Sequence, residues 1–341
     1  MPTTPGSSPQ SSTTVRRRSA PRPAPHPAVT LHVDPPLDNA VLAPPRPAPR
    51  RPGLIPTEIA DALSTVLTKA TEAIREHETG SRAGADIENV HQMRVATRRI
   101  RAYLKAAKPA LDAAAADGLR GDLSDLAGAL GEVRDLDVMI ARMHSEAAAL
   151  GEPDTSALEK LIGRLDADRG VARRALVQQL DDPGYQSLLA ELDEAARRPP
   201  VADPWTDLAA LGAAEYDKLA RAHHRLARQF GGNPPDDDLH ALRIWGKRAR
   251  YAAELQKKTK PVAAFLEALA HFQEVLGDHQ DASVLEDQLR AMVAASGDPA
   301  AAIAAGRVIE GGRRRKREAR AAYPAAWKAV ARAARSAYRA D

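Results

Sequence analysis

Between positions 91 and 108 the chain places His91, Arg94, Arg98, Arg101, Lys105 and Lys108 at a spacing that gathers cations. At about 100° per residue of α-helix they fall within one arc of roughly 100°. Met93, Ala96, Ile100, Leu104, Ala107 and Leu111 take the opposite side. A second stretch repeats the design: His240, Arg243, Lys247, Arg250 and Lys257 line up opposite Leu242, Trp245, Ala249 and Ala253. Each helix then has an apolar spine for a core and a dense cationic face. Guanidinium groups present a rigid fork of donors that matches phosphate oxygens, so the chemistry indicated is recognition of a phosphate-rich anion.

Such a stripe is costly without a partner. Neighbours three or four apart on a helix stand about 5–6 Å from each other. Two unit charges at about 6 Å repel by about 0.7 kcal/mol in water, and by nearer 3 kcal/mol at an effective dielectric of 20. No acid interrupts the first stripe between Glu88 and Asp112, and only Glu254 interrupts the second. A single basic face is ordinary solvated surface; two copies with one His-x-x-Arg-x-x-x-Arg/Lys spacing point to an external polyanion. His91 and His240 each sit near a helix start, where a histidine serves either as local structure or as a donor to phosphate. Asp86 and Asp236 are read as the N-caps of these helices. One imidazole and one carboxylate, Glu88 with His91 or Asp237 with His240, make a poor metal site among so many cations.

Other cations extend the pattern. Lys218, Arg221, Arg225 and Arg228 stripe the segment before the second copy, with His224 beside them. Arg169, Arg173 and Arg174 mark residues 155–180, and GGRRRKREAR at 311–320 is the densest run. Arginine outnumbers lysine 38 to 11, yet the formal net charge is only +4, so the charge is clustered and not in excess.

The elements that must position these faces are helices. Hydrophobic residues make up 44% of the 341 residues but aromatics only 4%, and alanine is abundant, a balance that favours close-packed helices over sheets. Helical periodicity covers 57–78, 87–109, 119–130, 133–149, 155–180, 185–197, 206–230, 237–258, 262–276, 280–296 and 299–338. Glycine and proline place breaks near 80–84, 151–153, 183–184, 199–204, 231–235 and 297–299. VHQMRVATRRIRAY at 90–103 resembles LHALRIWGKRARYA at 239–252, an offset of 149. LGEVRDLDV at 130–138 resembles LGDHQDASV at 276–284, an offset of 146. Two matches in one order define a duplication, with a first helical repeat at 56–200 and a second at 205–338. Gly131 and Gly277 read as turns between helices, and Asp135 and Asp281 occupy matching positions, either holding stripe arginines or capping the surface.

Residues 1–55, with Pro56, hold 15 of the 26 prolines, and Ser, Thr and Arg fill most of the rest. They are read as a disordered tail in which Arg16, Arg17 and Arg18 form an electrostatic tether. No cysteine is present, which excludes disulfides, zinc–thiolate sites and cysteine nucleophiles. There is no run of about 18 apolar residues and no apolar secretory core, so the expectation is a cytoplasmic protein. No Gly-x-x-x-x-Gly-Lys-Ser/Thr, His-Glu-x-x-His or Gly-x-Ser-x-Gly motif supports an enzyme, and no cofactor is called for. The competing reading is a nucleic-acid-binding basic helical protein, since phosphate contacts dominate that affinity too. Against it, only Tyr103, Trp245 and Tyr251 lie near the stripes to stack bases, and the faces offer little but Arg, Lys and His to read them.

At VHQMRVATRRIR, LHALRIWGKRAR, LGEVRDLDV and LGDHQDASV the chain resembles the CHAD family, the conserved-histidine α-helical domain, over about 57–338. The resemblance implies an all-α fold of two pseudo-symmetric antiparallel four-helix bundles around a basic central channel. It also implies binding of inorganic polyphosphate and association with polyphosphate granules. By position, His91, Arg94, Arg98, Arg99, Arg101, His240, Arg243, Lys247, Arg248 and Arg250 match the family's ligand-facing motif. Gln280 stands where the first copy has Arg134, and Ser283 where it has Asp137, so the halves are not equivalent. The Glu-x-Glu-x-Lys signature of the CYTH domain that precedes this module in many relatives is absent, and the chain resembles the stand-alone form. Removing residues 1–55 should leave a helical fragment that still melts cooperatively, as circular dichroism after limited proteolysis would show; a lost transition would mean that the tail is structural.

Overall fold

The computed structural model describes residues 58–338, so the expected tail and its arginines lie outside the described residues. Nine α-helices run through this region: α1 Glu58–Ala83, α2 Ile87–Ala106, α3 Ala113–Leu150, α4 Asp154–Asp181, α5 Pro183–Arg197, α6 Leu208–Phe230, α7 Asp236–Glu254, α8 Lys260–Ser296 and α9 Pro299–Tyr338. Among the described residues the only β-pairing is an isolated bridge between Leu111 and Val201. The fold is all-α, as composition and periodicity predict.

Local chemistry starts most of these helices. Asp86 caps α2 by accepting from the backbone N–H of Glu88 at 2.8 Å. Asp112, Asp182 and Asp207 cap α3, α5 and α6 in the same way, and Thr259 caps α8. Asp236 does not follow: Pro235 is the residue before α7, and the Asp236 side chain makes no cap bond. Its carboxylate is drawn off to cations on α9.

Several sequence-based boundaries move: α1 runs on to Ala83, beyond the expected 78, and α3 starts at Ala113, before the expected 119. Gly131 and Gly277 are not turns but lie buried inside α3 and α8, which run unbroken for 38 and 37 residues. Their φ angles are not positive, so nothing in the backbone demanded a break. The α2 helix ends at Ala106 and not at 109, because Pro109 disfavours helix at the residue before it and starts a single 3-10 turn, Lys108–Ala110. The α7 helix ends at Glu254, four residues short of the expected 258.

Burial organises these helices around three cores. The first gathers α1, α2, the start of α3, the end of α4 and α5, and includes Leu63, Met93, Ile100, Leu123 and Tyr185. It also takes Leu208 and Leu211 from α6, Tyr251 and Ala252 from α7 and Leu255 just after it, so the second repeat helps close the first. The second joins α6, α7, the start of α8 and the end of α9 around Phe265, Phe272 and Trp327. The third was not anticipated. It unites Met143 of α3, Leu158 and Leu161 of α4, Leu289 of α8 and Ala304 and Val308 of α9. The unbroken length of α3 and α8 makes this possible: each long helix serves its own repeat at one end and a shared cluster at the other.

The spines of the cationic helices are buried as patterned. Met93, Ile100 and Leu104 are fully covered, as are Leu242, Ala249 and Ala253. The α2 and α7 helices pack against each other, and this contact brings the two stripes together. The third core can be tested through Leu289, which is fully buried. Leu289→Ala should cost about 2–5 kcal/mol and lower the denaturation midpoint in one cooperative transition. A separate early transition would show that the shared cluster melts independently of the repeats.

Candidate functional site

The junction of α2 and α7 is built on aromatic and acidic groups that flank the stripes. The Tyr103 and Tyr251 rings meet edge to face at 5.5 Å. The Tyr103 hydroxyl donates to Glu254 Oε2 at 2.7 Å, and Arg250 Nε donates to Glu254 Oε1 at 2.9 Å. Burial, reinforced by Glu254, pushes the Tyr103 phenol above its ordinary value, so it stays a donor. Glu254, the one acid within the second stripe, is therefore a clasp between the repeats and occupies Arg250.

Beside this clasp four cations converge. Arg94 and Arg98 come from α2, and Arg243 and Lys247 from α7. Arg94 Nη2 reaches Asp135 Oδ1 on α3 at 3.3 Å. The Arg94 and Arg243 guanidiniums lie over Gly131 and Gly277: a Cβ on either glycine would meet the arginine Nε at 3.7 Å. At both glycines a Cβ would stand at ordinary contact distance from the guanidinium, so the two positions are equivalent in lying beneath matching arginines. Arg243 has no ion pair among the described residues, and its Nε is buried without a hydrogen-bond partner. Lys247 likewise has no hydrogen bond or ion pair among the described residues.

Electrostatics register this crowding. Burial first, then Arg243, Arg98 and Arg94, lower the Lys247 ammonium to about 7, with Asp281 opposing. Arg243 is lowered by burial and by Arg98 and Arg94 in turn. His91 is lowered by burial and then by Arg134, Arg98 and Arg94, which makes it a neutral imidazole at pH 7. Burial raises Asp135 and Asp281 above the usual carboxylate range, and each has a nearby acid adding to the rise. Asp135 pairs directly with Arg94, whereas Asp281 acts on Arg243 and Lys247 through space.

The remaining sequence-derived candidates separate into groups. Arg98 and Arg99 are exposed, while Arg101, Lys105 and His240 are half-buried along the stripes, Arg101 reaching Ser124 Oγ at 3.5 Å. Two residues fall off the helices altogether. Lys108 lies in the 3-10 turn and pairs with Asp117 at 2.6 Å, and Lys257 follows the end of α7 as an exposed connection residue. Arg248 lies over the Trp245 ring at 4.4 Å and pairs with buried Glu215, which also holds Lys218. Arg173 crosses to α1, donates to the Ser81 carbonyl at 3.4 Å and lies over Gly84, whose φ of +72° ends that helix. Arg221, His224, Arg225 and Arg228 line an open depression of their own on α6. Among the described residues no group of three or more His, Asp or Glu gathers as metal ligands, and no helix is long and apolar enough to cross a membrane.

A charge exchange between the repeats was missed. In the first, Asp137 is buried on α3 and faces Arg169 of α4 at 3.5 Å, with Arg173 nearby. The equivalent cations of the second, at an offset of 147, are Lys316 and Arg320 of α9. Ser283 replaces the acid there, and both cations turn instead to Asp236 at the start of α7, Arg320 at 2.5 Å. Buried His279 joins Asp236 at 3.2 Å, and these neighbours hold its carboxyl down to about 2. Ser283 Oγ reaches Asp236 as well, at 3.4 Å. The cations kept their spacing and the acid moved. The repeated four-residue step of Arg169 with Arg173 and Lys316 with Arg320 was the available signal.

The fold and the site together define a class of internally duplicated helical proteins in which two cationic helices meet side by side. The chain belongs to the CHAD family: the CHAD domain model matches residues 65–290. Two curated relatives, the Mycobacterium tuberculosis proteins named "Uncharacterized protein MT2285" (strain CDC 1551 / Oshkosh) and "Uncharacterized protein Rv2226" (strain ATCC 25618 / H37Rv), are each 29% identical over 249 residues. The match takes in 69% of this chain but 46% of each relative, so it spans about half their length. Among solved structures, the CHAD domain from the plant Ricinus communis is similar with a TM-score of 0.58 at 27% identity, covering 85% of this chain and 97% of that one. PptA from Streptomyces chartreusis shares the fold with a TM-score of 0.65 at 23% identity, covering 81% and 99%.

Lys247 provides a test of the crowding. Its ammonium is held near 7 in the folded chain against about 10.4 when unfolded, so the folded state binds fewer protons between these values. The destabilisation is fully present below about pH 7 and fades as pH rises toward 10. Lys247→Met should therefore raise the melting temperature by several degrees at pH 6, and the gain should shrink steadily by pH 9 and above. A gain independent of pH would mean that neither burial nor the neighbouring arginines depress the Lys247 ammonium.

Proposed function

We propose that this chain binds inorganic polyphosphate without catalysing a reaction on it, at the convergence of α2 and α7. The observation that carries this reading is the unpaired cluster: Arg243 and Lys247 have no ion pair among the described residues, although two more arginines stand against them. A polyanion threaded there would supply the missing negative charge along its length. Membership of the CHAD family supports the same ligand. In this reading His91, Arg94, Arg98, Arg101, His240, Arg243 and Lys247 line a basic channel between pseudo-symmetric repeats, and Asp135 and Asp281 orient the arginines beside them. The protein would act in the cytoplasm, on polyphosphate granules.

Many separate charge contacts should favour long chains over orthophosphate and make binding steeply dependent on salt. Calorimetry with long-chain polyphosphate should find tight binding at low salt. Arg94→Ala, Arg98→Ala, Arg243→Ala and Lys247→Ala combined should abolish most of it, flattening the salt dependence by roughly one unit for each cation removed. Because a polyanion favours the protonated lysine, affinity should also fall above about pH 7, by at most about tenfold per pH unit. Equal binding by the quadruple variant would overturn the proposal. A preference for duplex DNA when the two polymers compete would favour a nucleic-acid role instead.

A further inference from the structure

The cations of α6 form a site apart from the α2–α7 cluster. Leu219, Ala222 and Leu226 bury one side of α6 in the second core. At about 100° per residue, Arg221, His224, Arg225 and Arg228 centre roughly half a turn away from that side. The cations of α7 instead sit roughly a third of a turn from its buried side, on the flank that meets α2. The α6 group is exposed, and the four residues line one open depression together with Ala227. None of the three arginines makes a hydrogen bond or ion pair among the described residues, whereas most of the other described arginines do.

The fold does not require charge there. In α1, Leu67, Ala70 and Ile74 repeat the spacing of Leu219, Ala222 and Leu226 and are buried in the same manner. The positions matching Arg221, His224 and Arg228 are then Lys69, Glu72 and Glu76, all exposed. One helix of the duplicated pair carries a mixed, mainly acidic face and the other a purely cationic one. Three like charges along about 10 Å of helix axis repel one another unless an anion lies over them.

We infer that the α6 face is a second, independent polyphosphate site, which makes each protein molecule bivalent and able to bridge two polyphosphate chains. This rests on the function proposed above and extends it from holding a polymer to cross-linking it. A protein with one site decorates a long chain like beads, and no network forms. With two sites on separate faces, each protein ties one chain to another, and effective concentration strengthens the second contact. Such cross-linking would gather soluble polymer into a condensed phase.

The test uses the full chain and the variant Arg221→Gln/Arg225→Gln/Arg228→Gln, whose exposed substitutions suit a helix and should leave the melting temperature unchanged. With short-chain polyphosphate, calorimetry should give two equivalents bound per protein for the native chain and one for the variant. With long-chain polyphosphate, light scattering should show the native chain forming large assemblies that dissolve again in excess polymer. The variant should bind long chains without assembling them. A native stoichiometry of one, or equal assembly by the variant, would overturn bivalency and leave the α2–α7 site standing. Absence of any binding by the native chain would instead remove the functional reading on which bivalency rests. Retention by this face of duplex DNA but not polyphosphate would also overturn the inference.

Discussion

Like-charge repulsion between α2 and α7 is the constraint around which the rest of this structure is arranged. Burial of Lys247, together with the approach of Arg243, Arg98 and Arg94, drives the lysine to about 7. Helices carrying such faces would separate in water unless something else held them. The clasp of Tyr103, Tyr251, Glu254 and Arg250 holds them at one end of the contact. The reach of Tyr251, Ala252 and Leu255 into the first core anchors α7 to the opposite repeat. The third core, shared by both repeats, restrains them further. Apolar burial at these places offsets an electrostatic penalty at the site.

Gly131 and Gly277 stand at equivalent points within α3 and α8, where Arg94 and Arg243 lie across the helix backbones at ordinary contact distance. The unbroken helices then carry Asp135 and Asp281 one turn further along, where they act on the same cations.

The two repeats solve one structural problem differently. Both need a carboxylate for a pair of cations on the helix that closes the bundle. The first buries Asp137 for this, and the second uses Asp236, with Ser283 filling the vacated place. Duplication preserved the cation spacing because it sets where the helices cross, whereas the acid could migrate to any element within reach. The same freedom let α6 become cationic where α1 did not.

Much of this was legible in one dimension. Helical periodicity, the paired stripes and their apolar spines depend on interactions within a few residues, and these are what sequence spacing encodes. The duplication and the likeness to CHAD proteins rested on motifs short enough to read directly. Partners were not legible. Lys108, Arg248 and Arg173 carry the right chemistry at plausible positions, yet each is held by an acid or a carbonyl from another element of the fold. Gly131 and Gly277 looked like breaks because glycine is permissive, yet neither takes a positive φ and both helices run through them. Whether a charge is free to meet a ligand depends on which distant side chain folding brings within about 4 Å, and no local spacing specifies that. The sequence by itself determined the helices, their duplication and the cationic chemistry of their faces; tertiary packing decided which of those cations were left without a counter-charge.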